Sequence, residues 1–220
     1  MSYDYDIFIS YRRNAETLAW INEHFVPILT QRLGFELKRT PTFYIDTQME
    51  AGSSWPPALG AALGTSRVLI ALWTGNYLES VWCTQELSQM LGREKEAKLR
   101  SAANPHGLVI PAFIHDGESF PAAIKHIQPL EIQSTFNSRM ARNSPRAEQL
   151  ADALAQHAGA IAESIKAAPA WRKKWTPQAA AAFYRLFHQH ARSEQTSVPR
   201  FTRRKSQPLR PRPRSKRRTR

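Results

Sequence analysis

Apolar positions along the chain keep two alternating rhythms, one of period two or unbroken, the other of period three to four. Tyr5-Asp-Ile-Phe-Ile-Ser-Tyr11 is β-branched and aromatic, the make-up of a buried strand, and it ends in Arg12-Arg13-Asn14, which a covered sheet would not keep inside. Leu18, Ile21, Phe25, Ile28/Leu29 and Leu33 then recur at helical steps; Pro27 is expected to kink that helix and Gly34 to stop it. Thr42–Asp46 reads as a second short strand, and Thr47–Pro57 as a loop with Gly52, two serines and a proline pair. Pro57–Gly64 predicts a short helix, and Arg67–Trp73 a strand covered on both faces. After a loop at Thr74–Val81 comes a helix over Trp82–Arg100 with a charged second half. Gly107–Ile114 is a fourth strand, which Pro111 assigns to an edge or a bulge, and Pro129–Ile132 a short fifth. Ser144–Ala168 predicts a long alanine-rich helix with Leu150, Leu154, Ile161 and Ile165 on one side. One more amphipathic helix is expected over Trp171–Arg192.

Strands alternating with helices imply βαβ units, a parallel sheet and helices on both of its faces. Ligands on such sheets sit at the carboxyl ends of the strands. That directs attention to Ser10–Asn14, Asp46–Trp55 and Thr74–Glu86.

Composition narrows the picture. At 220 residues, 42% hydrophobic and 10% aromatic, the chain suits one ordinary domain with something left over. Its longest apolar runs fall far short of the roughly 20 residues that span a bilayer. Met1–Asp6 is acidic and no apolar stretch follows it, so no secretory signal is expected. A single cysteine makes no internal disulfide, and a cytoplasmic protein is the simplest reading. The net charge of +13 looks like a nucleic-acid binder until it is located. Eleven of the 31 Lys and Arg and none of the 18 acids lie between Pro199 and Arg220, so the first 198 residues are nearly neutral. Pro alternating with Arg cannot bury enough surface to order itself, and disorder is expected over 199–220. Such a tail binds nucleic acid or anionic surfaces through counterion release, without base specificity, or serves only as a solubilising terminus.

Several standard sites are absent: there is no phosphate-loop motif, no G-x-G-x-x-G and no G-x-S-x-G elbow. His188 and His190 have the wrong spacing for one helical face, so no metal site is expected, and Cys83 reads as a small buried residue beside Trp82. Three segments remain. Residues 5–14 (YDIFISYRRN), 44–52 (YIDTQMEAG) and 80–87 (SVWCTQEL) stand in an order and at a spacing that resemble a TIR (Toll/interleukin-1 receptor) domain over about Tyr3–Ala167. The first is similar to the family's D-x-F-I-S-Y box and the third to its S-x-W-C-x-x-E-L box. The second is similar to the strand-and-BB-loop pattern, one residue short and with Met49 where the family has Leu.

The resemblance implies a flavodoxin-like, three-layer α/β fold around a central, mostly parallel five-stranded sheet. The TIR domain would occupy 1–168, with a helical extension over 169–198 and the basic tail over 199–220. The family divides into signalling scaffolds and enzymes that cleave the nicotinamide–ribose bond of NAD+. The catalytic branch uses a glutamate of the third box, which on this chain is Glu86. NAD+ would be the substrate, and no further cofactor is called for. Expected partners are other TIR domains through the BB loop, including further copies of the chain, and a separate effector or sensor protein. A role in antiviral defence or stress-triggered NAD+ depletion is also implied.

The chemistry can be argued on its own terms. Departure of nicotinamide leaves an oxocarbenium-like ribosyl cation, which a carboxylate stabilises. Nicotinamide is already a good cationic leaving group, so one carboxylate suffices. Trp82, four residues before Glu86, shares its helical face and could stack on a flat ring; by default it is core. Arg12 and Arg13 either neutralise the pyrophosphate or remain a solvated loop. Glu50 and Tyr11 would line the rim, and Asp46 orders the BB loop. Whether water or an adenine nitrogen captures the cation is left open, as is a non-enzymatic scaffold in which Glu86 is structural.

Overall fold

The first apolar run forms strand β1 (Tyr5–Tyr11), in which Ile7, Phe8 and Ile9 are all buried although they alternate sides, so both faces of the strand are covered. The computed structural model describes residues 2–46, 57–102, 104–117, 120–173 and 177–188. From β1 the chain turns through Asn14, whose side-chain oxygen accepts the Thr17 N–H at 2.7 Å and caps helix α1 (Ala15–Trp20). A π turn over Ile21–Phe25 joins α1 to α2 (Val26–Leu37). The kink expected at Pro27 takes this form: proline has no N–H to give the preceding turn, and the widened turn just before it absorbs the mismatch.

Gly34 does not stop α2, contrary to the sequence expectation. Leu37 continues the apolar face past it, and the helix ends at Lys38, in the left-handed region at φ 55°. Strand β2 (Phe43–Ile45), helix α3 (Pro57–Gly64), strand β3 (Ser66–Trp73) and helix α4 (Val81–Glu96) follow. Strands β4 (Val109–Phe113) and β5 (Leu130–Glu131), then helices α5 (Pro145–Ala167) and α6 (Pro177–Phe187), complete the order. The basic tail lies outside the described residues. No described helix is long and apolar enough to cross a membrane.

The sheet has five strands in the order β2-β1-β3-β4-β5, every pairing parallel. The chain therefore steps one way from β1 to β2 and the other way from β3 onward. Right-handed crossovers in opposite directions put α1–α2 on one face and α3–α4 on the other. Helix α5 packs on α2 and α6 on α4, which fills both outer layers. Pro111 pairs with Ala71 inside the sheet order, yet β5 faces only Ala112 and Phe113 of β4. Most of β4 is thus an edge, which is why a proline is tolerated there.

Two buried charges fasten the amino end of the sheet. Asp6 accepts two hydrogen bonds of 2.6 Å from Arg39 and one of 2.9 Å from the Thr42 N–H, tying β1 to the approach of β2. Arg93 of α4 donates to the carbonyls of Leu63 and Ser66, each at 3.1 Å.

Candidate active site

A parallel sheet that reverses its strand order between β1 and β3 leaves a crevice at the carboxyl ends of those two strands, because the helices leaving them go to opposite faces. Ser10 and Leu72, near those ends, belong to adjacent register pairs of β1 and β3. Past Trp73 the chain makes a tight turn and one 3-10 turn (Tyr77–Glu79), which folds Tyr77 back inside with its ring 4.8 Å from that of Trp73. Ser80 then caps α4 by accepting the Cys83 N–H. This fixed start sets the phase of α4, and its sixth residue, Glu86, faces inward toward β1.

Glu86 is 5% exposed, so a solvated carboxylate on the outer face of the helix is not what the chain builds. Ser10 Oγ–H donates to Glu86 Oε2 at 2.6 Å, and the Tyr77 hydroxyl lies 2.5 Å from Ser10 Oγ. With Glu86 ionised, the single Ser10 proton goes to the carboxylate, and Tyr77 must donate to Ser10: a one-way chain from Tyr77 through Ser10 to Glu86. Among the described residues Ser10 is the one hydrogen-bond donor to that carboxyl. Burial raises the Glu86 pKa to about 7, with the Ser10 hydrogen bond and the charge of Arg13 pulling the other way. Burial, with Cys83 and Glu86 nearby, also holds Tyr77 well above the ordinary phenol range, so it stays protonated as the chain requires.

The other residues singled out from the sequence surround this centre unequally. Tyr11 is buried, and its hydroxyl donates to the Asp46 carbonyl at 2.9 Å, making it part of the wall. Arg13 forms an ion pair with the Asp46 carboxylate, so an incoming phosphate would have to share it with that acid. Arg12 reaches across to the Asn76 carbonyl at 3.3 Å and stays near the surface. Trp82, one turn ahead of Glu86, is half-buried against the core. Glu50 and the BB loop lie outside the described residues. Cys83 is fully inside, and burial together with the neighbouring Glu86 pushes its thiol pKa up, which removes it as a nucleophile. Among the described residues no group of three or more His, Cys, Asp or Glu is placed to hold a metal ion.

Sequence reasoning pointed to the segments that hold Ser10 and Tyr77 but gave neither residue a role. Ser10 stood inside the first motif, and its place one residue before the end of a covered strand was the available signal. Tyr77 had a weaker one, an aromatic ring directly after the Gly75-Asn76 turn.

Comparison with known proteins adds a family. The family model described as "TIR domain" matches residues 7–143, more than half of the chain. Protein SUPPRESSOR OF npr1-1, CONSTITUTIVE 1 of Arabidopsis thaliana is 29% identical over 111 residues, which are 50% of this chain and 6% of that protein. The chain therefore spans a small fraction of the length of this relative. A solved structure described as the activated Roq1 resistosome directly recognizing the pathogen effector XopQ (TIR domains) matches 70% of this chain and 84% of its own, at 20% identity and a TM-score of 0.37.

Proposed function

The chain belongs to the TIR domain family, and on that premise we propose that it cleaves the nicotinamide–ribose bond of NAD+, with Glu86 as the catalytic carboxylate. The observation that supports this most is the setting of Glu86: a carboxyl buried at the switch point of the sheet, held by one hydroxyl, its pKa raised to about 7. A carboxylate with few competing donors is free to answer a positive charge that appears only as the bond breaks. As the C1′–N bond opens, its electron pair leaves with nicotinamide, and the ribose C1′ and ring oxygen become positive beside Glu86. Water then adds to C1′ and loses a proton, giving ADP-ribose; an adenine nitrogen adding instead gives a cyclic isomer.

In this reading Ser10 and Tyr77 are positioning residues that keep Glu86 ionised and aimed. Trp82 offers a flat face, Arg12 meets the pyrophosphate with Arg13 sharing it, and Tyr11 backs the wall. Glu50 would line the rim and the BB loop would bring copies together, so that turnover waits for assembly in a defence or NAD+-depletion role. The test is incubation of the purified chain with NAD+, dilute and with a crowding agent, beside Glu86→Gln. Loss of NAD+ in the native chain alone supports the enzyme, and chromatography of the products separates hydrolysis from cyclisation. Equal loss in both, or none in either under several assembly conditions, makes the chain a scaffold.

A further inference from the structure

Because the strands are parallel, the amino ends of β4 and β5 lie on the sheet edge opposite Glu86. There a cavity of about 300 Å³ opens between the approaches to these strands and α5. His157, Ile161 and Ser164 recur at steps of four and three, so one stripe of α5 supplies a wall. Ile110 and Ile161, both buried, make the floor apolar. Arg100, His106 and His157, with Gln128 and Ser164, supply the polar part, and no acid is among the lining residues. A space of this size, mostly apolar with a few convergent polar groups, is the usual form of a small-molecule site.

Arg100 is fixed there. Its Nε donates to Glu94 Oε1 and its Nη2 to the Val109 carbonyl. The second Glu94 oxygen accepts the Leu108 and Val109 N–H groups at 2.8 and 3.2 Å, so that carboxylate is spread over three donors. The guanidinium lies over Gly107, where a Cβ would push it aside. Nη1 of Arg100 makes no hydrogen bond among the described residues. The guanidinium is thus held rigidly with one edge unused, beside two imidazoles. Glu163 of α5 is exposed and paired with Lys166 at 2.9 Å, and it is near enough to His106 for their charges to interact, so its negative charge is shared between these two groups.

We propose that this cavity binds a small organic anion, its apolar body of about a dozen non-hydrogen atoms over Ile110 and Ile161 and its carboxylate against Arg100, His106 and His157. The probe is 2-naphthoate, titrated into the whole chain by calorimetry and by NMR of the histidine rings, beside the uncharged 2-naphthamide. Saturable binding that moves the His106 and His157 signals, with the amide at least ten-fold weaker, is expected. His157→Gln should weaken 2-naphthoate several-fold, Ile161→Trp should abolish binding by filling the floor, and Glu86→Gln should leave it unchanged. Absence of saturable binding, equal binding of acid and amide, unmoved histidine signals or loss of binding in Glu86→Gln would each overturn the proposal. Because His157 is half-exposed, His157→Gln keeps the test informative if Ile161→Trp does not fold.

Discussion

Two acids meet β1 about 13 Å apart along its length, and the chain treats them in opposite ways. Asp6, at the amino end, has two hydrogen bonds from Arg39, one from the Thr42 N–H and Arg67 at 3.5 Å. Burial pushes its pKa up, but Arg39 and Thr42 outweigh it and hold the carboxyl below the usual range. Glu86, reaching β1 at Ser10, lies deeper and has one hydroxyl, and burial wins. Little solvent reaches either acid, yet one is a fastener held ionised and the other a carboxyl held near neutrality. Depth, together with the number and charge of donors, decides which.

The largest expected effect breaks the reactive end. Glu86→Gln should lower NAD+ turnover by more than about 100-fold, read as kcat in a nicotinamide-release assay. The same change should stabilise the fold. A folded pKa near 7 against an ordinary 4.5 makes stability fall as pH rises between those values. Above pH 7 the variant should thus gain up to about 3 kcal/mol, and below pH 4.5 nothing, as read in urea melts at both pH values. Asp6→Asn should do the reverse, losing about 2–3 kcal/mol at neutral pH. The contribution of Asp6 is present above the unfolded pKa near 3.8 and is lost as pH falls below it, so native and variant melts should converge in acid.

Smaller changes sharpen the contrast. Turnover should rise as pH passes through about 7, where Glu86 ionises. Ser10→Ala removes the donor that favours the ionised form and should move this midpoint up by about one pH unit. Tyr77→Phe acts on Glu86 only through Ser10, and its shift in the same pH–rate profile should be a fraction of that. A midpoint that moves down in either variant would contradict the hydrogen-bond chain.

The strands were legible because burial on both faces leaves an unbroken apolar run, as in Arg67–Trp73, and the position of Glu86 was legible through its motif. What Glu86 touches was not. Ser10 and Tyr77 are 67 residues apart, and only the crossover between β1 and β3 brings them together. Local signals failed where a neighbour overruled them. Gly34 is a helix-stop residue by itself, yet it lies inside α2 because the apolar face runs on to Leu37. Pro111, by contrast, marks an edge and keeps one, because β5 is only two residues long and pairs beyond it. His106 and His157 carry no shared pattern along the chain, since the opening that joins them exists only after α5 has docked.

Helix α4 has a mechanical consequence. Glu86 and Glu94 are turns of one sixteen-residue rod, separated by about 12 Å, and an α-helix hardly stretches. Glu94 is pinned by Arg100 and by two backbone N–H groups at the amino edge of the sheet, so the rod is anchored there as well as at its Ser80 cap. A helix clamped at both ends cannot rotate about its axis, and the inward aim of Glu86 is set as much by the far clamp as by the near one.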